Sequence, residues 1–302
     1  MTLINFNVMV GLSQSGKTSF LRRIEAPYIF ANLSDELEDI IFAMADGQLD
    51  NEPIFLDRNN ITIEDRRIIW RWIQTFFPKD IHFHITAYVM STPLDTCVKR
   101  GIENGITPGI IARQRASFNI PFLEEGFDDI KIVDGVSLEE IKTIECDSVR
   151  YSEMMYKMIN FDQENPHHQY PLGVHMSVCQ WMVEEQKDNF HDFSSVYVAA
   201  NVHDWGKYYS KTYNDLGFGI YYDHGEIGAY ELLSHLYLIP QKDFSVMGIL
   251  RILAYVNYHM KPFDWHNDSD LKKARQLYNG VLFDDLLLFN KIDREACGTE
   301  SE

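Results

Sequence analysis

Two groups of residues in this 302-residue chain have the types and spacing that chemistry requires. The first is contiguous: residues 11–18, GLSQSGKT, spell G-x-x-x-x-G-K-T. Gly11 and Gly16 let the main chain turn so that N–H groups, Ser13 and Ser15 among them, point at phosphate oxygens. The N-terminus of the next helix adds partial positive charge. Lys17 supplies a full charge to the β- and γ-phosphates, and the Thr18 hydroxyl can coordinate Mg²⁺. ATP with Mg²⁺ is the expected ligand. The second group is dispersed: His175, then His203 beside Asp204, then His224, His259 and Asp293. Imidazoles and carboxylates are the ligands that borderline and hard divalent ions take.

On a helix, His203 and Asp204 differ by about 100° in direction, so they approach one cleft from adjacent angles. The two oxygens of Asp204 can then bridge a pair of ions. His175, His203, Asp204 and Asp293 form the expected first metal set, and His224 and His259 complete a second. Lys207 lies one turn beyond His203, where it can meet a substrate phosphate. His168 stands between Pro166 and Pro171 on an expected loop, to contact substrate or to cap. A divalent transition metal such as Mn²⁺, as one ion or two, would acidify a water and hold a phosphate in line, which is phosphoester hydrolysis.

The elements that must position these groups change character along the chain. Residues 3–10, 53–57, 81–90 and 129–135 are short apolar runs that suit buried strands, and helical segments lie between them. Thr62 with Asp65, Thr92 with Pro93 and Thr107 with Pro108 look like capped helix starts. Strand–helix alternation implies an α/β unit with a parallel sheet flanked by helices. After Gly135, a capping-box pattern from Ser137 to Glu140 opens an expected helical connector. From Phe161 on, the apolar runs are helix-like. The expected division is residues 1–150, α/β, and residues 151–302, all-α.

Asp35 sits where it can take a proton from an attacking hydroxyl or cap the helix expected from Glu36. Asp57 falls at a strand end, within reach of a phosphate–metal region. Arg100, Arg113 and Arg115 lie on expected helices, where arginines neutralise a transferring phosphoryl group or simply face solvent.

The run PIFLDRNNITIEDRR resembles a segment of the 5′-hydroxyl polynucleotide kinases, and TPLDTCVKRG with TPGIIARQRASFNIPFLEEGFDDIKIV resembles their lid. The similarity covers most of residues 3–135. It implies Asp35 as general base and Arg100 and Arg113 as contacts to the ATP phosphates. Two positions depart from that family: Glu38 and Asn104 stand where arginines are usual. The order H…HD…H…H…D over residues 161–298, with NPHHQYPLGVHM and VHDWGK, resembles the HD phosphohydrolase superfamily. Together the halves resemble bifunctional enzymes that heal nucleic-acid ends, phosphorylating a 5′-hydroxyl and removing a 2′,3′-cyclic, 2′- or 3′-phosphate. The resemblance favours RNA and implies functional coupling to a ligase. A kinase for a nucleoside or other small hydroxyl compound, fused to a nucleotide phosphohydrolase, is the alternative that Glu38 suits. An ATP-gated switch with a ligand-sensing second half is a third reading.

The formal net charge of -18 opposes non-specific attraction to nucleic acid or an anionic membrane, so any polynucleotide must be held locally. The four cysteines are scattered without a CxxC pair, as free thiols in a reducing compartment would be. No signal-peptide pattern and no apolar run of ~18 residues is present, so the expected setting is cytoplasmic, without a membrane partner.

Overall fold

The computed structural model describes residues 3–166, 168–240, 244–278 and 280–298. His167, within the NPHHQYPLGVHM run, lies outside the described residues. The chain divides into two compact units: Met1–Arg115 with Pro121–Lys142, and Ala116–Ile120 with Thr143–Glu302.

The first unit is a mixed α/β layer structure. Its strands are β1 (Leu3–Val10), β2 (Tyr28–Phe30), β3 (Ile54–Leu56), β4 (His82–Ser91), β5 (Asp129–Asp134) and β6 (Glu139–Glu140), in the order β2-β3-β1-β4-β5-β6. β1 to β5 pair in parallel and β6 runs antiparallel to β5. Parallel pairing demands crossovers, and helices α1 (Lys17–Arg23), α2 (Asp35–Ala45), α3 (Ile63–Phe76), α4 (Leu94–Glu103) and α5 (Pro108–Ala116) provide them. Five consecutive residues of β1, Phe6 to Val10, are buried, as a strand covered on both faces requires. Met9, Phe20, Leu21, Phe55, Met90 and Val133 form one apolar cluster that pins α1 to the sheet. The capping box at Thr62 is present: Asp65 N–H donates to Thr62 Oγ1 at 3.0 Å, and Thr62 N–H to Asp65 Oδ2 at 3.1 Å.

Three local expectations are corrected. No helix begins at Ser137. Asp134 Oδ1 accepts from Val136 N–H at 2.7 Å and Ser137 N–H at 3.0 Å, which turns the chain back into β6 before a helix can start. The next helix, α6 (Ser148–Ile159), is capped by Asp147, whose carboxylate accepts from the Val149 and Arg150 N–H groups. The cap of α2 is Ser34, so Asp35 is its first helical residue. Thr92 is not the cap residue of α4: Pro93 holds that position, and Thr92 Oγ1 donates to Ser15 O at 2.8 Å.

The second unit is helical: α6, α7 (Leu172–Glu185), α8 (Phe193–Val202), α9 (Gly206–Ser210), α10 (His224–Ser234), α11 (Val246–Tyr258), α12 (Asp268–Tyr278) and α13 (Gly280–Glu295). It is not all-α, because β7 (Thr212–Tyr213) and β8 (Gly219–Ile220) form a short antiparallel ribbon. Among the described residues, Trp205, Tyr230, Tyr255, Tyr258, Phe118, Phe283 and Phe289 are its largest fully buried side chains. Buried phenols need partners, and Tyr258 donates to Ile120 O at 2.6 Å and Tyr255 to Asp285 Oδ2 at 2.9 Å. Asn257 holds Phe118 O and Ile120 N–H, which docks residues 116–120 into this unit. Among the described residues no helix is long and apolar enough to cross a membrane.

Candidate functional sites

In the first unit the G-x-x-x-x-G-K-T segment leaves the C-terminal end of the buried strand β1 and runs into α1. Gly16 caps α1 at φ +99°, a left-handed conformation that favours glycine. Lys17 is buried, and its Nζ donates to Gly11 O at 3.0 Å, Leu12 O at 2.8 Å and Asn59 Oδ1 at 2.8 Å. Burial lowers the Lys17 ammonium from 10.5 to about 8, against the opposing pull of Asp57. Thr18 Oγ1 donates to Asp57 Oδ2 at 2.6 Å, which places a hydroxyl and a carboxylate together at the mouth of the loop. Ser15 Oγ is buried without a hydrogen-bond partner, a polar atom left for a ligand to satisfy. A cavity of about 280 Å³ opens beside these groups, lined by Gln14, Gly16, Lys17, Thr18, Arg100 and Leu138 among others.

The remaining sequence-derived residues of this unit divide. Arg100 is at the loop: its Nη1 donates to Gly135 O at 3.1 Å and Gln14 O at 3.3 Å. Asn104, one turn on, donates to Gln14 Oε1 at 3.2 Å. Arg113 is exposed on α5, and its neighbour Gln114 is the residue that grips the loop, accepting from Ser13 N–H at 2.9 Å and donating to Ser13 Oγ at 3.0 Å. Asp35 is exposed at the start of α2, which follows β2. Asp57 N–H donates to Phe30 O at 2.8 Å, so the end of β2 lies beside the Asp57 end of β3. Glu38 is occupied, accepting from the Trp72 indole N–H at 2.9 Å.

Asn59 is the residue that sequence reasoning missed. Besides holding Lys17 Nζ, its carbonyl accepts from Gly11 N–H at 2.9 Å and its amide donates to Ser13 Oγ at 3.2 Å. The local signal was the polar run Asp57–Asn60 directly after a strand, at the strand end where open parallel sheets place their ligands.

In the second unit all six dispersed residues meet. Single ligand atoms of His175, His203, Asp204 and Asp293 lie within 4.8 Å of one another, as do those of Asp204, His224 and His259. Asp204 belongs to both groups. Its Oδ2 lies 3.3 Å from His175 Nε2 and 3.4 Å from His203 Nε2, and its Oδ1 lies 3.2 Å from His224 Nε2 and 3.6 Å from His259 Nε2. Asp293 Oδ1 lies 3.0 Å from His175 Nε2 and 3.1 Å from His203 Nε2.

The orientation of each ring follows from its other nitrogen. Nδ1 of His203 faces Ala200 O at 2.9 Å, that of His224 faces Tyr221 O at 2.8 Å, that of His259 faces Val256 O at 2.7 Å, and that of His175 faces Ala296 O at 3.3 Å. A carbonyl only accepts, so each Nδ1 carries the proton and each Nε2 is left to present a lone pair inward. His203 and His259 directly follow the last residues of α8 and α11, and His224 opens α10, so helix ends converge on the site. Gly206 makes this possible: a side-chain carbon there would collide with the His224 carbonyl, and α9 could not lie against α10.

Such an arrangement fits cations. His224 Nε2 and His259 Nε2 face each other at 3.1 Å, a repulsive contact unless an added proton or a cation lies between them and Asp204. His175 Nε2 is buried with no aligned hydrogen bond. Burial alone would keep His203 neutral, but Asp204 and Asp293 outweigh it and raise it to about 10. Burial also works against charge on Asp204 and Asp293, yet Lys207 and His203 at Asp204, and His203 and His175 at Asp293, hold both carboxyls far below the usual carboxylate range. Lys207 Nζ lies 2.7 Å from Asp204 Oδ2 and donates to Gln163 Oε1 at 3.1 Å. His168, expected on a loop, lies 3.4 Å from Lys207 Nζ through Nε2 and 3.5 Å from Cys297 Sγ through Nδ1. Burial and the Lys207 charge lower it to about 4. Gln163 and Cys297 were not foreseen.

No protein-family model matches the chain, and no curated protein does at a significant level. Among solved structures, a fungal RNA kinase is similar at 16% identity and a TM-score of 0.35, over 45% of this chain and 80% of that one. A likeness of that size bears on neither fold nor activity.

Proposed function

We propose that the chain heals nucleic-acid ends, RNA favoured, with two activities: ATP-dependent phosphorylation of a 5′-hydroxyl in the first unit and metal-dependent removal of a 2′,3′-cyclic, 2′- or 3′-phosphate in the second. The observation that carries the reading is Asp204, with one oxygen toward His175 and His203 and the other toward His224 and His259. A carboxylate shared in this way suits two divalent ions, with Mn²⁺ as the working choice. The ions, when bound, supply charge neutralisation at phosphate and an acidified water. The protein's share is to hold the carboxylates ionised, to fix each Nε2 by its Nδ1 bond, and to place the Lys207 ammonium where a phosphate oxygen arrives. This unit reads as an HD-type phosphohydrolase.

The kinase half rests on the Gly11–Thr18 loop, read as a P-loop for ATP with Mg²⁺. Lys17 would exchange its loop carbonyls for β/γ-phosphate oxygens, and Thr18 with Asp57 would hold Mg²⁺. Arg100 stands beside the cavity, and Arg113, exposed on α5, would be the second arginine toward the ATP phosphates. Asp35 would accept the proton of the attacking hydroxyl. The setting is cytoplasmic, no membrane takes part, and a ligase would consume the healed ends.

One observation favours a small hydroxyl acceptor instead. The first turn of α2 carries Asp35, Glu36 and Glu38, and Glu38 is committed to Trp72 and is not free to hold a strand. A doubly end-labelled oligonucleotide bearing 5′-OH and 2′,3′-cyclic phosphate, incubated with ATP and Mn²⁺ beside free nucleosides, decides between them. The expected result is gain of phosphate at one oligonucleotide end and loss at the other, with Lys17→Ala abolishing only the gain and Asp204→Ala only the loss. Phosphorylation of nucleosides alone supports the alternative, and loss of both reactions in both variants overturns the two-site reading.

A further inference from the structure

Beside the two Asp204-centred groups, a third set of metal-ligating side chains converges in the second unit. His168 on the segment before α7, His175 on α7 and Cys297 just past α13 bring single ligand atoms within 4.8 Å of one another. His175 is 1% exposed, and its Nε2 has no aligned hydrogen bond. Cys297 Sγ lies 3.5 Å from His168 Nδ1. In a tetrahedral site with metal–sulfur near 2.3 Å and metal–nitrogen near 2.0–2.1 Å, the sulfur–nitrogen edge is about 3.5 Å. The two donors already stand at the separation that one ion would impose.

This donor set differs in kind from the other two. Those offer only imidazole and carboxylate, which Mn²⁺ and Mg²⁺ accept. A cysteine sulfur selects softer ions. Because His175 is common to this set and to the Asp204–Asp293 group, it cannot serve both with one nitrogen.

We propose that His168, His175 and Cys297 form a third cation site, specific for a thiophilic divalent ion such as Zn²⁺ or Cd²⁺, whose occupation withdraws His175 from Asp204 and Asp293. As the metal–sulfur bond forms, the Cys297 thiol gives up its proton to solvent, and no electron is transferred. The ion displaces the His168–Cys297 contact and frees Lys207 from His168. The site would make the second unit respond in opposite ways to hard and soft ions, Mn²⁺ filling the Asp204 groups and Zn²⁺ dismantling one of them.

Co²⁺ reports on sulfur ligation through a near-ultraviolet thiolate-to-cobalt charge-transfer band. The metal-stripped full chain is titrated with Co²⁺ alone, so the outcome does not depend on the hydrolase reading. The band is expected to rise and saturate at one cobalt–thiolate equivalent. Cys297→Ser should remove it while Mn²⁺ binding, read by electron paramagnetic resonance, is kept. Cys179→Ser, a change at a buried thiol on α7, should leave it intact. His168→Gln should weaken the cobalt affinity read through the band by at least ~10-fold. Absence of the band in the unaltered protein, or its persistence unchanged in Cys297→Ser or His168→Gln, overturns the proposal and leaves the 3.5 Å contact as a hydrogen bond.

Discussion

The two candidate sites, both proposed to act on phosphate, are built from opposite materials. The loop of the first unit is mostly main chain, and its charged and hydroxyl groups are largely partnered, Ser15 Oγ excepted: Lys17 rests on two of its own carbonyls and Asn59, and Thr18 rests on Asp57. The cluster of the second unit is all side chain, and its inward-facing lone pairs crowd one another within 3.6 Å. The first site can stand ready at small cost. The second gathers two carboxylates and four inward-facing nitrogens, a set that calls for a positive counter-charge.

Breaking the shared carboxylate should have the largest effect. Asp204→Asn should lower Mn²⁺ affinity by more than ~100-fold and abolish phosphate removal, because both ligand groups lose their common member. Calorimetric titration with Mn²⁺ checks the first and release of end-labelled phosphate the second. The kinase reaction of the same protein should be unchanged.

The frame of the first site should yield next. Arg66 is fully buried, bonded twice to Glu125 at 2.7 Å and once to Asn60 O at 3.1 Å, and Asn60 in turn holds Met9 O. Glu125→Ala removes the carboxylate from two short bonds to a buried guanidinium and should cost about 3–5 kcal/mol in denaturant unfolding. Stabilisation by Mn²⁺ should survive in this variant, since no Asp204 ligand is touched.

A smaller effect separates the sites by pH. Burial lowers Lys17 to about 8, and bound triphosphate would restore its charge, so binding above that pH takes up a proton. ATP affinity should be flat below about pH 8 and fall as pH rises through it, by up to ~10-fold per unit. Titration calorimetry in buffers of differing ionisation enthalpy reads the uptake directly. The smallest expected change is Glu38→Gln. An amide oxygen still accepts from Trp72 but without charge, for a loss of about 1 kcal/mol in unfolding and improved binding of a 5′-OH oligonucleotide if a polyanion lies there.

Legibility followed contiguity. Residues 11–18 could be read because eight neighbours in sequence are neighbours in space, and the strand before them and helix after them are where the pattern requires. Asn59 and Gln114 hold the same loop from 46 and 101 residues away; only the polar run after β3 hints at Asn59, and nothing local marks Gln114. The dispersed histidines were legible as a set because residue type carried the information. The bridging place of Asp204 was also expected; the helix ends and the glycine at 206 that bring the rings to it are what the packed structure adds. The false helix at Ser137 shows the opposite failure: a correct capping-box pattern lost to Asp134, whose carboxylate claimed the nearby amides first. Cys297 looked like one more scattered thiol because its partner, His168, is 129 residues away.

The central claim, that Asp204 serves two cations at once, is tested most directly by Mn²⁺ stoichiometry and spin coupling in the metal-stripped full chain. The account expects two Mn²⁺ per chain with an exchange-coupled paramagnetic resonance spectrum, and loss of the coupled signal in Asp204→Asn. A single uncoupled ion, or a coupled pair that persists without the Asp204 carboxylate, would contradict it.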